Sequence, residues 1–470
     1  MLLQIFYRRG FPENGAAVRG KPVKRSPMNL LVEYKEKKKS VSDLLSLLRD
    51  NDYVFSAQAM SEPVTILRQL PRVFDNGIKH LTFNSIMPLE DYDWFHDASL
   101  KGKMDHVCWF YSAPVRQAAR EGLASFLPGN STGLVSKTLA RIRAEGRRPV
   151  LLATASPMDA EGYFTLSVSA LFERDLLDGC ALVLLEVSSG YPQTCGDTRI
   201  HISQVDGFVE TDRLCPEVLS TPYKEVDKII GHNVAELIPD GSTLQLGVGH
   251  IPNAVAKELE VRHHLGIHSG LFSDEMMHLM QCGAVDNSRK GVNEGKSICA
   301  FASGRRALYD FVKDNPLVEF HRGTFTNSPL EIGRNNHMVS LNTALEIDLT
   351  GQIAAESMGM TQWSATGAQQ ETIRGAQLSQ GGKSIVALHS SYYGRNEAGE
   401  KVLQSKIVPF FKPGTIVTTS RNDVDYIVTE YGAAWLRGAS IRQRVKELIA
   451  IAHPSFRGEL EAEAKKYGLW

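Results

Sequence analysis

The sequence predicts an α/β protein built from two similar, open and mostly parallel α/β domains. Strand-like runs alternate with helix-like segments along most of the chain, which favours parallel, doubly wound sheets. Two runs, Val150–Ser156 and Ala181–Val187, are apolar without alternation, as strands buried on both faces are. The length of 470 residues exceeds one ordinary core. Two such domains would place a ligand site in the cleft between them.

The regular pattern of the first half begins at Ser40. Ser40–Arg49 is amphipathic, with Ser40 as the predicted cap and Asp43 three residues later. The other predicted elements of this half are the strands Tyr53–Ala57, His80–Ser85, Val107–Tyr111, Val150–Ser156 and Ala181–Val187 and the helices Val64–Leu70 and Ala113–Glu121. Strand His80–Ser85 leads into an acidic loop, Ile86–Asp91, at a carboxyl end, where open α/β sheets bind ligands.

A domain boundary is predicted near Tyr223, where apolar periodicity lapses and two prolines occur. The predicted divisions are a basic leader at 1–27, an N-terminal domain at 28–222 and a C-terminal domain at 223–470. The leader carries six basic residues against one acid and lacks the apolar core of a signal peptide. We expect it to be a disordered tail or the product of an over-long start-site assignment.

Composition narrows the class of protein. Hydrophobic residues make up 43% and charged residues 22%, which is typical of a soluble globular chain. A net charge of −1 gives no support for nucleic-acid binding, and no apolar run approaches the length of a membrane span. The six cysteines are scattered, which favours reduced thiols and a cytoplasmic protein. His264 and His268 have a zinc-like spacing without a cysteine pair, so no metal site is predicted.

Thr243–Asp274 reads as a βαβ unit. Strand Thr243–Leu246 is followed by Gly247-Val248-Gly249 and by a helix, and we expect a second short strand to end in a turn at Ser269-Gly270. The glycines let the backbone approach a ligand, and the helix N-terminus offers free N–H groups. The fingerprint of dinucleotide-binding proteins is incomplete because its third glycine is missing.

Several ordered segments resemble the acetyl-CoA hydrolase/transferase family, which includes 4-hydroxybutyrate, butyrate and itaconate CoA-transferases. The resemblance covers the chain from about Met28 to the C-terminus. The segments that carry it are Leu246–Val255, Gly266–His268, Phe272–Asp274, Gly381–Ser384, Thr418–Asp423, Thr429–Gly432 and Ile449–Pro454.

The resemblance implies a CoA thioester in the cleft and a glutamate carboxylate that attacks its acyl carbon. An acyl-glutamyl anhydride and then a glutamyl-CoA thioester would form, before a second carboxylate takes over the CoA. Backbone N–H groups would stabilise the oxyanion. The residues expected to contact CoA or the oxyanion are Gly247, Val248, Gly249, His250 and Ile251, then Ser364, Gly367 and Ala368, and finally Lys383. Coenzyme A would be a substrate, and no cofactor would be bound permanently.

One position departs from the family. Where the family usually reads H-T-E-M with a nucleophilic glutamate, this chain has Gly270, and glycine cannot form an anhydride. We therefore predict Glu90 as the nucleophile, arriving from the opposite wall into room left at Gly270. Glu356 is the alternative, with a supporting role favoured. Met60 and Gly270 are predicted to line the acyl pocket.

These residues favour a CoA-transferase that moves CoA from succinyl-CoA or acetyl-CoA to itaconate, 4-hydroxybutyrate or a similar short acid. The His-Ser-Gly pattern resembles the itaconate branch. An acyl-CoA hydrolase, with Glu90 or Glu356 activating water, and a non-catalytic CoA-binding protein stay open as alternatives. Candidates for binding the acceptor carboxylate are Arg421, His268 and His250. A homo-oligomer is expected from general frequency alone.

Overall fold

A computed structural model describes residues 27–395 and 398–470. The predicted basic leader at 1–27 lies outside this range except for its last residue. The first sheet has seven parallel strands in the order β10-β7-β5-β1-β2-β3-β4. Its strands are β1 (Tyr53–Ser56), β2 (Leu81–Ser85), β3 (Met104–Cys108), β4 (Ala124–Phe126), β5 (Pro149–Ala155), β7 (Leu182–Gly190) and β10 (Gly207–Leu214).

The second sheet has nine strands in the order β25-β24-β20-β15-β11-β12-β13-β14-β8, and only the pairing of β25 with β24 is antiparallel. Its strands are β8 (Cys195–Gly196), β11 (Thr243–Leu246), β12 (Gly266–Phe272), β13 (Ser297–Ala302), β14 (Val318–Phe320), β15 (Met338–Thr343), β20 (Lys383–Ala387), β24 (Tyr426–Thr429) and β25 (Gly432–Trp435). The predicted class of two mostly parallel α/β domains is thereby confirmed.

Helices flank both sheets, and short strands decorate them. The helices are α1 (Pro27–Lys37), α2 (Val41–Leu45), α3 (Val64–Leu67), α4 (Ala113–Arg120), α5 (Leu134–Ala144), α6 (Glu173–Gly179), α7 (Glu225–Ala235), α8 (His250–Glu258), α9 (Asp274–Gln281), α10 (Arg306–Val312), α11 (Gly323–Thr326), α12 (Pro329–Ile332), α13 (Gln369–Leu378), α14 (Ile441–Ala450) and α15 (Pro454–Lys466). The short strands are β6 (Tyr163–Thr165), β9 (Arg199–His201), β16 (Glu346–Asp348), β17 (Ile353–Ala354), β18 (Ser357–Met358), β19 (Thr361–Gln362), β21 (Ser391–Arg395), β22 (Lys401–Ser405) and β23 (Ile407–Val408).

The first sheet is covered on both faces, as its unalternating strands predict. Val54 and Phe55 are neighbours in β1, are both fully buried and belong to different hydrophobic clusters. The cluster that contains Phe55 continues into the second sheet through Ile267 and Phe272. Because burying apolar area drives folding, this shared core holds the two sheets together.

Polar contacts also join the two sheets. Ala170 N donates to Ala300 O at 2.8 Å, and Ala302 N donates to Val168 O at 2.8 Å. Strand β8 comes from the first half of the chain and pairs with β14 of the second sheet. Apart from β8, the chain order of the strands is compatible with the boundary at residue 222, which stays a prediction. Within the described ranges, no helix has the length and apolar character that crossing a bilayer requires.

Candidate active site

Glu90 lies in the loop that follows β2, at the carboxyl edge of the first sheet. Met87 in this loop has a φ of 52°, a left-handed conformation that costs free energy in a residue other than glycine. The Glu90 carboxylate accepts a hydrogen bond from Arg68 Nη2 at 2.5 Å, and its side chain is 36% exposed. The acid is therefore accessible, and its partner is an exposed arginine whose ion pair is weak enough to be displaced.

A second acid, the buried Glu62, fixes the backbone of this loop. Glu62 Oε2 accepts from the backbone N–H groups of Leu89 at 2.7 Å and Glu90 at 3.3 Å, and Oε1 accepts from Tyr92 Oη at 3.3 Å. The residue is 3% exposed, and burial raises the pKa of its carboxyl to about 8. The sequence analysis did not single out Glu62, because no local pattern links it to the loop that contains Glu90.

The raised pKa of Glu62 predicts a pH dependence of stability. The folded protein keeps the Glu62 proton up to about pH 8, whereas the unfolded chain loses it near its ordinary value of 4.5. The stabilisation is therefore complete below pH 4.5 and is lost as the pH rises towards 8. Urea unfolding of wild type and Glu62→Gln across this window should show the wild type losing stability relative to the variant. Parallel pH profiles would contradict the prediction.

Glu356 anchors the loop of the second domain that contains Ser364, Gly367 and Ala368. It is 4% exposed, and its carboxylate accepts from Thr366 Oγ1 at 3.0 Å and Gln362 Nε2 at 3.2 Å. Its carbonyl accepts from Ser364 N at 3.1 Å. Because both ends of Glu356 hold this loop, the geometry favours the supporting role over that of a nucleophile.

The Glu90 loop and the Ser364 loop meet through the end of β3. Met87 N donates to Phe110 O at 3.2 Å, and Tyr111 N donates to Ser364 O at 3.4 Å. A Cβ placed on Gly367 would lie 3.7 Å from the Phe110 ring. These successive contacts bring the predicted nucleophile and the predicted oxyanion loop to the same side of the molecule, one from each sheet.

The Gly247–Ile251 loop has the predicted form. Gly249, with a φ of 120°, caps α8, whose first turn leaves N–H groups unpaired. Val248 is 67% exposed, and His250 Nδ1 lies 2.6 Å from Pro222 O. Within residues 27–395 and 398–470, no hydrogen bond joins this loop to Glu90 or to the Ser364 loop. Its contact with CoA therefore stays a prediction.

Lys383 and Met60 do not have the surroundings that we expected. Lys383 begins β20, at the edge opposite the carboxyl ends, and its Nζ donates to Leu237 O at 2.7 Å. We therefore do not retain it as a CoA contact. The Met60 side chain is 1% exposed within the main hydrophobic cluster, and its carbonyl accepts from Tyr191 Oη. This position is that of a core side chain, and nothing in it supports an acyl-pocket role.

Gly270 lies inside β12 and not in a turn, which corrects the expected element boundary. The predicted room beside it is also occupied. A Cβ at Gly270 would lie 3.0 Å from Asn327 Oδ1, so the Asn327 amide fills the space expected for a carboxylate from the opposite wall. The strand runs on to Phe272, and Ser273 then caps α9 by accepting from Met276 N.

Asn327 is part of a buried polar network between the two sheets. Asn327 Nδ2 donates to Ser131 Oγ at 3.0 Å, and Ser131 Oγ donates to Glu371 Oε2 at 3.0 Å. Glu371 Oε1 accepts from the backbone N–H and the hydroxyl of Thr132, each at 2.7 Å. Glu371 is 4% exposed, and burial raises the pKa of its carboxyl. We call these residues the Glu371 network; none of its members was predicted.

The histidines considered earlier have protein partners. His264 Nδ1 lies 2.7 Å from Asp286 Oδ2, and His268 Nε2 lies 2.9 Å from Thr326 O. Burial lowers the pKa of His268 to about 3, so it is neutral and unsuited to binding an acceptor carboxylate. Among the described residues, no cluster of three metal-ligating side chains occurs.

Comparison with known proteins identifies the relatives of this chain. The N-terminal domain model of the acetyl-CoA hydrolase/transferase family matches residues 24–233, and the C-terminal domain model matches residues 304–464. The 4-hydroxybutyrate coenzyme A transferase of Clostridium kluyveri is 38% identical over 92% of this chain and 98% of its own length. The succinyl-CoA:cyclohexane-1-carboxylate CoA transferase of Geobacter metallireducens is 37% identical over 94% and 98%.

Solved structures agree with these relatives. The crystal structure of RipA from Yersinia pestis has a TM-score of 0.85 and 31% identity, covering 94% of this chain and all of that one. Two mostly parallel α/β sheets, together with these relatives, define the class of a CoA-transferase, and this protein is an enzyme of that class. The chain belongs to the acetyl-CoA hydrolase/transferase family.

Proposed function

We propose that this enzyme transfers CoA from succinyl-CoA or acetyl-CoA to itaconate, 4-hydroxybutyrate or a similar short acid, with Glu90 as the nucleophile. The position of Glu90 carries the proposal. It is an accessible carboxylate at the carboxyl edge of the first sheet, in a loop connected to the Ser364 loop through Phe110 and Tyr111, which follow β3. Coenzyme A enters as part of the substrate. A cytoplasmic location and a homo-oligomeric state stay predictions.

In the first half-reaction, a Glu90 carboxylate oxygen attacks the acyl carbon of the donor thioester. The tetrahedral intermediate carries its negative charge on the former carbonyl oxygen, which the N–H groups of the Ser364 loop would stabilise. The C–S bond then breaks, leaving an acyl-glutamyl anhydride and CoA thiolate. The thiolate attacks the Glu90 carbonyl carbon of the anhydride, releasing the donor acid and forming a glutamyl-CoA thioester.

The second half-reaction reverses these steps with the acceptor. Its carboxylate attacks the Glu90 thioester carbon and expels CoA thiolate, giving a new anhydride. The thiolate then attacks the acceptor's acyl carbon, which yields the acceptor CoA thioester and free Glu90. Arg68 loses its ion-pair partner whenever Glu90 is acylated, since the anhydride and the thioester are neutral. Its guanidinium is then free to hold the carboxylate that leaves or arrives.

Buried groups have a different task in this proposal. Glu62 fixes the backbone of Leu89 and Glu90, so the nucleophile enters the reaction at a defined place. In the second domain, Glu356 fixes Ser364 through its backbone carbonyl and Thr366 through its carboxylate. Gly270 contributes no carboxylate, and its neighbour Asn327 is committed to Ser131.

A thioester exchange assay tests the function. Purified enzyme is incubated with succinyl-CoA or acetyl-CoA and with itaconate or 4-hydroxybutyrate, and all CoA esters are resolved by chromatography. We expect the acceptor CoA ester to form in amounts equal to the donor ester consumed. Release of free CoA at the same rate without an acceptor would identify a hydrolase. If neither reaction occurred with any donor and acceptor pair, the protein would be a non-catalytic CoA-binding protein and our proposal would be wrong.

A further inference from the structure

A small basic cavity lies where the first domain meets the hairpin β18–β19 of the second. The cavity has a volume of about 210 Å³, and its walls include Tyr111, Arg116, Arg120 and Trp363. We call it the arginine pocket. Arg116 Nε donates to Trp363 O at 2.7 Å, and the guanidinium lies over the indole ring, 4.1 Å from its centroid. The pocket is therefore formed by residues of both domains.

Among the residues that the structure describes, no carboxylate balances the positive charge of this pocket. Arg116 and Arg120 are four residues apart on α4, which places them on one helix face. Neither forms an ion pair with a carboxylate of residues 27–395 or 398–470, and Arg120 Nη1 contacts only the neutral Gln117 side chain, at 3.3 Å. Burial and the charge of Arg120 both lower the pKa of Arg116. Two adjacent cations without an acid form an attractive place for an anion.

A role in stabilising α4 explains only one of the two arginines. A cation near a helix C-terminus interacts favourably with the helix dipole, which accounts for Arg120 at the end of α4. It does not account for Arg116, which lies over an aromatic ring of the other domain. An arginine held by its Nε and by an aromatic face keeps its terminal N–H groups in a fixed fork, the geometry that binds phosphate in bidentate fashion.

The helix that carries both arginines begins next to the Glu90 loop. Ser112, which precedes α4, donates to Pro88 O of the Glu90 loop at 2.5 Å. With a helical rise of about 1.5 Å per residue, Arg120 lies about 12 Å further along α4. The extended pantetheine arm of CoA can span that distance between its thioester and its phosphates.

We propose that the arginine pocket binds the phosphorylated adenosine end of CoA, with Arg116 and Arg120 contacting phosphate oxygens while the thioester reaches Glu90. This inference rests on the proposed function for the identity of the ligand. The pocket is too small for a whole CoA molecule, so it holds phosphate groups of the adenosine end and leaves the pantetheine arm outside. The assignment replaces Lys383 with two cations of α4 in the first domain.

Binding calorimetry with CoA, 3′-dephospho-CoA and pantetheine tests this site. We expect Arg116→Ala and Arg120→Ala each to weaken CoA binding about tenfold. Neither should change the affinity for pantetheine, which has no phosphate. Arg141→Ala is the matched control, since Arg141 is 81% exposed on α5 and pairs with Glu145. Arg116→Lys should recover part of the loss, because it restores a charge without the planar fork.

Two outcomes would overturn the site. Arg120→Ala could bind CoA as tightly as wild type, or both alanine variants could weaken CoA and pantetheine by the same factor, as a general loosening of the domain contact would. Because calorimetry needs no turnover, it separates this inference from the proposed reaction. If the enzyme bound CoA through its phosphates but transferred none, the proposed reaction would be wrong and the phosphate site would stand. If the enzyme transferred CoA and Arg120→Ala bound CoA normally, the phosphate site would be wrong and the reaction would stand.

Discussion

Replacing Glu90 with alanine should lower kcat for CoA transfer by at least about 10³-fold, because no covalent intermediate can then form. The loss should appear for every donor and acceptor, since both half-reactions pass through the same carboxylate. Initial rates at saturating substrate measure it. Glu90 is partly exposed and its ion pair with Arg68 lies at the surface, so we expect an unfolding free energy within about 1 kcal/mol of wild type.

Glu145→Ala is the matched control for Glu90→Ala. Glu145 is 37% exposed, close to the 36% of Glu90, and it pairs with Arg141 at 2.8 Å on the far end of α5. Its removal costs a similar surface ion pair and should leave kcat unchanged. Full transferase activity in Glu90→Ala would show that another group is the nucleophile.

Glu371→Ala should cost about 3 kcal/mol of unfolding free energy, since it leaves several buried donors of the Glu371 network without an acceptor. Thr132 N, Thr132 Oγ1 and Ser131 Oγ all donate to this one carboxylate. The network joins the loop after β4 to α13, so its loss should also loosen the contact between the two sheets. Urea unfolding monitored by tryptophan fluorescence measures the change.

Two further variants are controls for Glu371→Ala. Glu371→Gln keeps one carboxamide oxygen for Thr132 and should lose less stability than the alanine variant. Glu331→Ala removes an exposed acid that pairs with Arg334 three residues later and should change stability by less than about 1 kcal/mol. If Glu371→Ala and Glu331→Ala had equal effects, the buried network would not be a stabilising contact.

Local sequence patterns predicted a strand well where glycines delimit it. Strand β11 has the predicted bounds, Thr243–Leu246, because Gly241 and Gly247 lie on either side of it. Strand β3 begins three residues before the predicted Val107, because it starts with Met104, Asp105 and His106. A buried histidine and an exposed aspartate hide such a strand from a pattern based on apolar residues. Ser40 caps α2 as predicted, through Asp43 N at 3.1 Å.

The candidate site was predictable only in part, for a physical reason. Glu90 follows a strand, so parallel-sheet geometry alone places it at the ligand-binding edge. The Glu371 network joins residues 196 and 240 positions apart, and no local pattern signals such a contact. The same holds for Arg116 and Trp363, which lie 247 positions apart. The open space expected at Gly270 is absent because Asn327, in the turn after α11, occupies it from a distant part of the sequence.

Trapping the covalent intermediate shows which carboxylate is the nucleophile. The enzyme is mixed with succinyl-CoA, treated with sodium borohydride in one sample and hydroxylamine in another, and digested for mass spectrometry. Borohydride reduces a glutamyl-CoA thioester to an alcohol, and hydroxylamine converts it to a hydroxamate. We predict that both modifications map to Glu90 and occur only when succinyl-CoA has been added. A modification on Glu356 or Glu371, with Glu90 unlabelled, would contradict the account.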